Sequence, residues 1–500
     1  MELTHKQKED MGLAFVLDRL SPLSPLGREK KRALEPYARE ERGALERELE
    51  NLDRAVALGD YPALSRFRQG LMQLRDIRAT ADRLKERSLD QVELFELKRY
   101  LLLLSELAAA FQTLQDQARW EGLSLRDVPQ ALAVLDPEGE RNPTFSLRAS
   151  WSEELAAVRA EKAGIEKRIA QTSGEEREGL LTWRTGIVAR EAAAEQALCE
   201  DLSRRLRPWQ HAIAESLEAL GRLDLLLAKA ALVRELGGRK PTLTERELSF
   251  VNMVHPAVAD RLRRQGARFT PLSLSLSPGA AVLTGANMGG KSVCLKTLAL
   301  NVYLTHCGLF PFAQQAAVPF FDQLCLIRGE GEDGREGLSS FGGELMAADG
   351  AARAVREGFC LVLFDEFARG TNPAEAQRFQ QGALSYFDRS GSVCLFVTHY
   401  EAVAARARRR FLTRGIRDMD LAEGRRRIEA GADKLAVLRS CMDYGIEEVT
   451  AADLPQRALA VAELLGVEGE LLSAIRAEYR LEYRLEYRPE YRPEYIPGED

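Results

Sequence analysis

A glycine-rich segment between two apolar runs constrains the fold of this chain more than any other feature. Residues 285–292 read GANMGGKS, which is a Gly-x4-Gly-Lys-Ser pattern. Residues 281–283 before it are short and apolar, and residues 294–304 after it predict an apolar helix. In a strand–loop–helix context, loop N–H groups and the helix N-terminus bind phosphate. The pattern therefore predicts an α/β domain with a nucleotide-phosphate site.

Each residue type in this loop suits a phosphate site. Gly285, Gly289 and Gly290 lack a Cβ, so the backbone can approach the phosphates closely. Lys291 can reach the β- and γ-phosphates, and the Ser292 hydroxyl can bind Mg²⁺. The expected cofactors are ATP and Mg²⁺.

Two later strands carry polar residues at their carboxyl ends. The apolar run 361–364 ends in Asp365, a candidate Mg²⁺ ligand, and Glu366, a candidate group to polarise the attacking water. The next apolar run, 393–397, leads to His399, which can hydrogen-bond a γ-phosphate and report its presence. Because ligands bind at the carboxyl ends of parallel strands, we expect these side chains in one site.

The segment 333–341, with the sequence DGREGLSSF, lies between these motifs and predicts a loop. It can supply the hydroxyl of Ser339 or Ser340 to phosphate oxygens. An ordinary surface turn explains the local chemistry equally well, so the residues alone leave both interpretations open.

Composition limits the setting and the partners. The chain has 500 residues and a formal charge of −6, which does not favour bulk coating of nucleic acid. Its seven cysteines form no Cys-x2-Cys pair, and several lie in apolar runs, which predicts buried reduced thiols. No apolar run is long enough to span a bilayer, and the N-terminus has no signal-like segment. We expect a cytoplasmic protein without a membrane partner.

Composition also predicts the domain organisation. Residues 1–245 are rich in Leu, Ala, Glu and Arg and predict long helices, with an antiparallel helical arm at about 150–206 that turns near Thr172. Residues 246–465 alternate strands and helices and predict the α/β domain. Residues 466–500 contain a Glu-Tyr-Arg repeat whose later prolines predict disorder, although its first half can pair Glu with Arg along a helix.

The motifs together resemble one family. The segments TGANMGGKS, DGREGLSSFGGEL, LVLFDEFARGT and THY occur in the order and spacing of the ATPase domain of MutS, the DNA mismatch-repair family. The resemblance is specific over about residues 210–465 and looser over the helical half. It implies an ABC-type P-loop ATPase domain preceded by a helical core and lever region, working as a head-to-head homodimer.

The resemblance also implies roles that the residues alone do not fix. Ser339 would touch the γ-phosphate bound by the other subunit, Phe269 would stack on adenine, and Asn287 would join the phosphate-loop ligands. Residues 369–371 would lie at the dimer seam. Binding of the γ-phosphate would close the dimer, and hydrolysis would reopen it.

The sequence departs from the family pattern at several points. We find no mismatch-reading domain with a Phe-x-Glu wedge, and the turn near Thr172 leaves little room for an inserted DNA clamp. Ala286 stands where repair proteins usually have Pro, and Ala368 where Gly is usual. We therefore expect a shortened MutS-like protein.

Two functions remain in view. The first is a dimeric Mg-ATP-hydrolysing ATPase that binds DNA structures, branched or mismatched, in repair or recombination without the wedge. The alternative is an ATP-driven remodelling or reactivating factor for an adenosylcobalamin-dependent amino-acid mutase, because some shortened MutS-like proteins resemble such factors. The ATPase domain alone does not show whether the protein acts on DNA or on another protein.

Overall fold

The chain is divided into two compact units in a computed structural model that describes residues 1, 3–285, 290–328, 340–416, 418–449 and 457–486. The sheet unit comprises Met1–Val16, Pro36–Leu45 and Leu236–Asp500, and the helical unit comprises Leu17–Glu35 and Glu46–Glu235. The predicted boundary at residue 245 differs from this division. Two N-terminal segments belong to the sheet unit, because the Tyr37 N–H donates to the His306 carbonyl at 2.9 Å and Gln7 Nε2 to the Leu326 carbonyl at 3.3 Å.

The first part of the chain is helical. Its α-helices are α1 (His5–Asp10), α2 (Leu13–Arg19), α3 (Pro25–Arg32), α4 (Arg42–Ala57), α5 (Pro62–Gln73), α6 (Arg78–Glu86), α7 (Gln91–Ala118), α8 (Pro129–Leu135), α9 (Glu153–Gln171), α10 (Glu175–Leu206) and α11 (Gln210–Leu236). Short 3-10 helices lie at Arg39–Glu41, Ala149–Trp151 and Arg207–Trp209.

Helix α7 shows how the sequence determines where a helix of the helical unit begins and which of its faces is buried. Asp90 caps its N-terminus by accepting from the Glu93 N–H, and the Glu93 side chain accepts in return from the Asp90 N–H. Leu94, Leu97 and Leu101, which recur at helical spacing, are all fully buried. Burial of such a side chain contributes about 2 kcal/mol, so this face fixes the helix in the core.

Helices α9 and α10 pack against each other as an antiparallel pair, the arm. Val158 and Ile165 of α9 pack with Leu180 and Ile187 of α10 in a small apolar core. Charged pairs flank this core: Arg159 Nε lies 3.1 Å from Glu191 Oε1, and its Nη2 lies 2.7 Å from Glu195 Oε1. The arm therefore combines an apolar seam with charged flanks, as in a short coiled coil.

Strands and helices alternate in the second part of the chain. Its elements are β1 (Thr242–Thr244), β2 (Leu248–Met253), α12 (Pro256–Arg264), β3 (Leu272–Leu276), β4 (Gly279–Thr284), α13 (Lys291–His306), β5 (Gln315–Pro319), β6 (Gln323–Arg328), α14 (Ser340–Glu357), β7 (Cys360–Asp365), α15 (Pro373–Asp388), β8 (Val393–Val397), α16 (Glu401–Ala404), β9 (Arg409–Ile416), α17 (Asp418–Glu429), α18 (Lys434–Cys441), β10 (Met442–Val449), α19 (Arg457–Leu464) and α20 (Gly469–Glu486).

The main sheet has six strands in the order β10-β9-β4-β8-β7-β6. All neighbouring pairs are parallel except β10 with β9. Val397 of β8 pairs with both Leu283 of β4 and Asp365 of β7. This register brings the carboxyl ends of three strands to one edge, where the predicted phosphate loop, acidic pair and histidine follow.

Apolar residues on the strands form the core of this sheet. Phe364 of β7 stacks on Phe396 of β8 with ring centroids 4.1 Å apart, and Phe387 of α15 covers them. Six of the seven cysteines are buried and Cys325 is half-buried, which confirms the prediction that most of the thiols are buried in apolar surroundings.

A second sheet has the strand order β1-β5-β2-β3. The predicted half-exposed strand is confirmed as β3, whose residues alternate between buried and exposed along its length. The last helix, α20, includes the beginning of the Glu-Tyr-Arg repeat as far as Glu486, so this first part of the predicted tail is helical. Among the described residues, no helix is both long and apolar enough to cross a bilayer.

Candidate functional site

Glycine is required at both described ends of the phosphate loop. Gly285 has φ 131° and Gly290 has φ 79°, in the region that disfavours residues with a Cβ. A Cβ on Gly285 would lie 2.0 Å from Thr413 Oγ1, and one on Gly290 would lie 3.2 Å from the Tyr444 ring. The backbone around the loop is thus close-packed on one side. Asn287 and Gly289 lie outside the described residues.

Lys291 begins α13 directly after this loop. Its side chain is buried, and Nζ donates to the Gly285 carbonyl at 2.7 Å. Burial lowers the Lys291 pKa, while the negative charges of Glu366 and Asp365 oppose this shift. The ammonium group thus folds back along the loop and lies beside two carboxylates. A bound phosphate would give it a stronger counter-charge than these carboxylates do.

Ser292 and Asp365 meet across the edge of the sheet. Ser292 Oγ donates to Asp365 Oδ1 at 3.0 Å, although one residue begins a helix and the other ends a strand. Burial raises the Asp365 pKa, against the lowering effects of this hydrogen bond and of the nearby Arg328. Arg328 Nε lies 3.6 Å from Asp365 Oδ2.

This pair fits a magnesium site. Mg²⁺ takes oxygen ligands, typically one or two from protein side chains with waters and phosphate oxygens completing the octahedron. Within the described ranges, no group of three or more His, Cys, Asp or Glu side chains could hold a metal ion. Ser292 and Asp365 supply two side-chain oxygens that face each other at 3.0 Å.

Glu366 lies next to Asp365 and between two basic side chains. Its Oε1 is 3.7 Å from His399 Nδ1, and its Oε2 is 3.4 Å from Arg369 Nη1. The Glu366 N–H donates to the Val397 carbonyl at 3.0 Å, which ties the residue to the end of β8. The structure thus brings Glu366 and His399 together at the sheet edge, as expected from their positions after neighbouring strands.

Besides Asn287 and Gly289, two further predicted residues are not placed in this cluster. Phe269 is half-buried in the segment between α12 and β3, and its contact with adenine stays a prediction. Ser339 lies outside the described residues, as does most of the DGREGLSSF segment, so its role also stays a prediction.

Sequence reasoning missed two charged residues beside the site. Arg328 ends β6 and contacts Asp365; the signal was a basic residue at the end of an apolar strand. Glu344 on α14 is 2% exposed and accepts a hydrogen bond from the Ala368 N–H. Burial raises the Glu344 pKa, and the N–H groups of Ala368 and Arg369 counteract that rise. The signal in the sequence was an acidic residue among the small and apolar residues of the first turns of a helix.

The fold and site together define an α/β protein with a candidate nucleotide-phosphate site at the carboxyl edge of a mainly parallel sheet. Residues 281–467 match the family model of MutS domain V, a range that contains Lys291, Asp365, Glu366 and His399. These residues therefore belong to the MutS domain V family.

Two relatives illustrate this similarity. The chain is 32% identical over 286 residues to a protein named Endonuclease MutS2 from Thermus thermophilus, covering 56% of this chain and 36% of the relative. It is 26% identical over 473 residues to a protein named DNA mismatch repair protein MutS from Shouchella clausii, covering 81% of this chain and 53% of the relative. The chain thus spans about half or less of the length of these relatives.

Proposed function

We propose that this protein is a Mg-ATP-hydrolysing ATPase that couples hydrolysis to a conformational change in a homodimer. The observation that carries the proposal is the meeting of Ser292 with Asp365 beside Lys291 and Glu366. These side chains supply a hydroxyl and a carboxylate for Mg²⁺, a cation for phosphate, and a carboxylate for the attacking water.

The residues divide the chemistry between them. Lys291 binds the β- and γ-phosphates, while Ser292 and Asp365 hold Mg²⁺, which neutralises phosphate charge when it is bound. Glu366 orients a water and accepts its proton, and His399, 3.7 Å from it, contacts the γ-phosphate. Gly285, Asn287, Gly289 and Gly290 shape the loop, and Phe269 stacks on the base.

Dimerisation completes the site in this proposal. Ser339 of each subunit contacts the γ-phosphate held by the other subunit, with the sheet unit acting as an ABC-type ATPase domain. Met346 of α14 and Phe379 of α15 are 65% and 43% exposed and supply apolar surface, and the Phe379 ring lies 5.3 Å from the ring of Phe341. The helical unit acts as the core and lever region that follows the closing and opening of the dimer.

A mixing experiment tests the shared site. S339A and K291A variants are each expected to lack most ATPase activity as homodimers. If sites are shared, a mixed dimer contains one site with both residues intact, so mixing equal amounts restores up to about a quarter of wild-type activity, given random exchange and one working site in half of the dimers. Activity that stays at the sum of the two parents would contradict sharing.

DNA is the client we propose first, in the form of branched or mismatched structures. The support is the similarity to relatives named DNA mismatch repair protein MutS and Endonuclease MutS2. The test is stimulation of ATPase activity by a panel of junction, mismatched and plain duplex DNA at physiological salt. Stimulation that prefers one structure and weakens steeply with salt is expected.

The arm favours a second candidate, a protein client. The first turn of α10, at the arm's turn, carries Glu175, Glu176 and Glu178, which repel a phosphate backbone. In this alternative the ATPase remodels or reactivates another enzyme, such as an adenosylcobalamin-dependent amino-acid mutase. The DNA panel decides between them: an ATPase that ignores every DNA but responds to the mutase supports the alternative.

A further inference from the structure

The segment directly after β7 follows a backbone path that side chains disfavour. Glu366 has φ 51° and Ala368 has φ 64°, both in the left-handed region. Residues with a Cβ rarely adopt this conformation because the Cβ crowds the following carbonyl. Two such residues within three positions persist only where their surroundings hold them.

Glu344 supplies that restraint. Its carboxylate, which is 2% exposed, accepts a hydrogen bond from the Ala368 N–H. The N–H groups of Ala368 and Arg369 belong to the peptide units on either side of the Ala368 Cα, and both favour the charged form of the Glu344 carboxylate. From the other side, Gln380 Nε2 donates to the Phe367 carbonyl at 2.5 Å.

The residues held in this way lie next to functional side chains. Glu366 lies two positions before Ala368, and Arg369 directly follows Ala368. Arg369 Nη1 also lies 3.4 Å from Glu366 Oε2. A change in the backbone conformation of Ala368 would therefore change the orientation of both Glu366 and Arg369. By contrast, Lys291 and Ser292 are on α13 and Asp365 is within β7, so they depend on other elements.

We propose that Glu344 is a positioning residue that sets the orientation of Glu366 and Arg369 for ATP hydrolysis by holding Ala368 in its left-handed conformation. The proposal rests on the ATPase function given above and deepens it. In sequence Glu344 follows Ser339 by five positions, so the same helix that begins at Ser340 links the DGREGLSSF segment to the acidic pair.

The first test separates turnover from nucleotide binding. E344A removes the acceptor, and kcat is expected to fall by roughly 10- to 100-fold, as for a misplaced catalytic group. The Kd for a fluorescent ATP analogue is expected to change by less than about threefold, because the phosphate loop is intact. E344Q keeps one acceptor oxygen of two, and its kcat is expected to lie between those of the wild type and E344A.

The second test addresses the mechanism. Glycine adopts a left-handed conformation without strain, so A368G reduces the need for a restraint. The kcat loss caused by E344A is expected to be at least about threefold smaller in the A368G background than in the wild type, as a double-mutant cycle measures. A general loss of packing at Glu344 would not be relieved by a glycine at residue 368.

The outcomes are distinguishable. A wild-type protein without ATPase activity overturns the proposed function itself. An active wild type with equal kcat in E344A, or losses that are independent of A368G, overturns only the role of Glu344. If E344A fails to fold by circular dichroism, the same cycle is run with E344Q, and rescue of its kcat by A368G supports the proposal while its absence refutes it.

Discussion

The Ser292 hydroxyl donates a hydrogen bond of 3.0 Å to Asp365 across the carboxyl edge of the sheet, 73 residues further along the chain. The pairing follows from topology, because β4, which leads into the helix of Ser292, is separated from β7 only by β8. In the proposed ATPase, Ser292 and Asp365 would hold Mg²⁺, so the pair would link nucleotide binding to the metal.

The first prediction concerns this pair. D365N removes the charge that Mg²⁺ needs, so the Mg²⁺-dependent gain in ATP affinity is expected to fall by roughly tenfold or more, which corresponds to about 1.4 kcal/mol per decade. Titration with a fluorescent ATP analogue, with Mg²⁺ and with chelator, measures this gain. D82N, in the helical unit, is the control. An unchanged magnesium effect in D365N would remove Asp365 from the metal site.

The second prediction concerns Lys291. K291A removes the buried ammonium group that contacts the Gly285 carbonyl, so nucleotide affinity is expected to fall by about 100-fold, as for loss of a charge-assisted contact of roughly 3 kcal/mol. Calorimetric titration with ADP and ATP measures the loss. K167A, an exposed lysine of the arm, serves as the matched control. Equal affinity in K291A and wild type would contradict the phosphate-loop assignment.

The third prediction separates binding from hydrolysis at Glu366. E366Q keeps the size of the side chain but not its basicity, so ATP binding is expected to persist while kcat falls by about 100-fold or more. Single-turnover hydrolysis and analogue binding measure the two quantities. E357Q, at the exposed end of α14, controls for the loss of one carboxylate. Undiminished hydrolysis in E366Q would exclude Glu366 as the base.

Residues in regular patterns were predictable from the sequence. The apolar runs that became β4, β7 and β8 and the alternating run that became β3 all have the period of their elements. The meeting of Ser292 with Asp365, and of Glu366 with His399, follows from the rule that ligands bind at strand carboxyl ends.

Contacts set by tertiary packing were not predictable. Nothing local marks the N-terminal segment Met1–Val16 as part of the sheet unit, because that depends on contacts such as Gln7 with Leu326. The left-handed conformation of Ala368 was hidden for the same reason: alanine gives no signal for it, and the restraint comes from Glu344, 24 residues away. The one hint of this conformation in the sequence was that the family usually has glycine at this position.

The last prediction concerns stability, because the helical unit contains a charged pair that is almost completely buried. Lys98 Nζ lies 3.0 Å from Asp136 Oδ1, and the two side chains are 4% and 3% exposed. Asp136 also accepts from the Arg141 N–H at 2.8 Å. Lys98 thus ties the segment after α8 to α7, and removing either charge leaves the other buried without a counter-charge.

K98M is therefore expected to lower the free energy of unfolding by about 3 kcal/mol in urea denaturation. The control is K85M, since Lys85 lies 2.9 Å from Asp82 but the side chains are 55% and 68% exposed. Loss of such a surface pair is expected to cost less than about 1 kcal/mol. Equal effects of the two substitutions would show that the buried pair contributes no more than an exposed one.

The pH dependence of this pair has a defined sign. Burial alone would raise the Asp136 pKa, but the hydrogen bonds from Lys98 and the Arg141 N–H together hold the pKa below its usual value of 3.8. The folded state thus favours the carboxylate, and its stabilisation is present above the unfolded pKa and is lost as the pH falls through the lower, folded pKa. Wild-type stability is expected to fall more steeply than that of D136N below about pH 4, where only the wild type takes up this proton on unfolding. Parallel pH profiles of unfolding free energy for the two proteins would contradict the assignment.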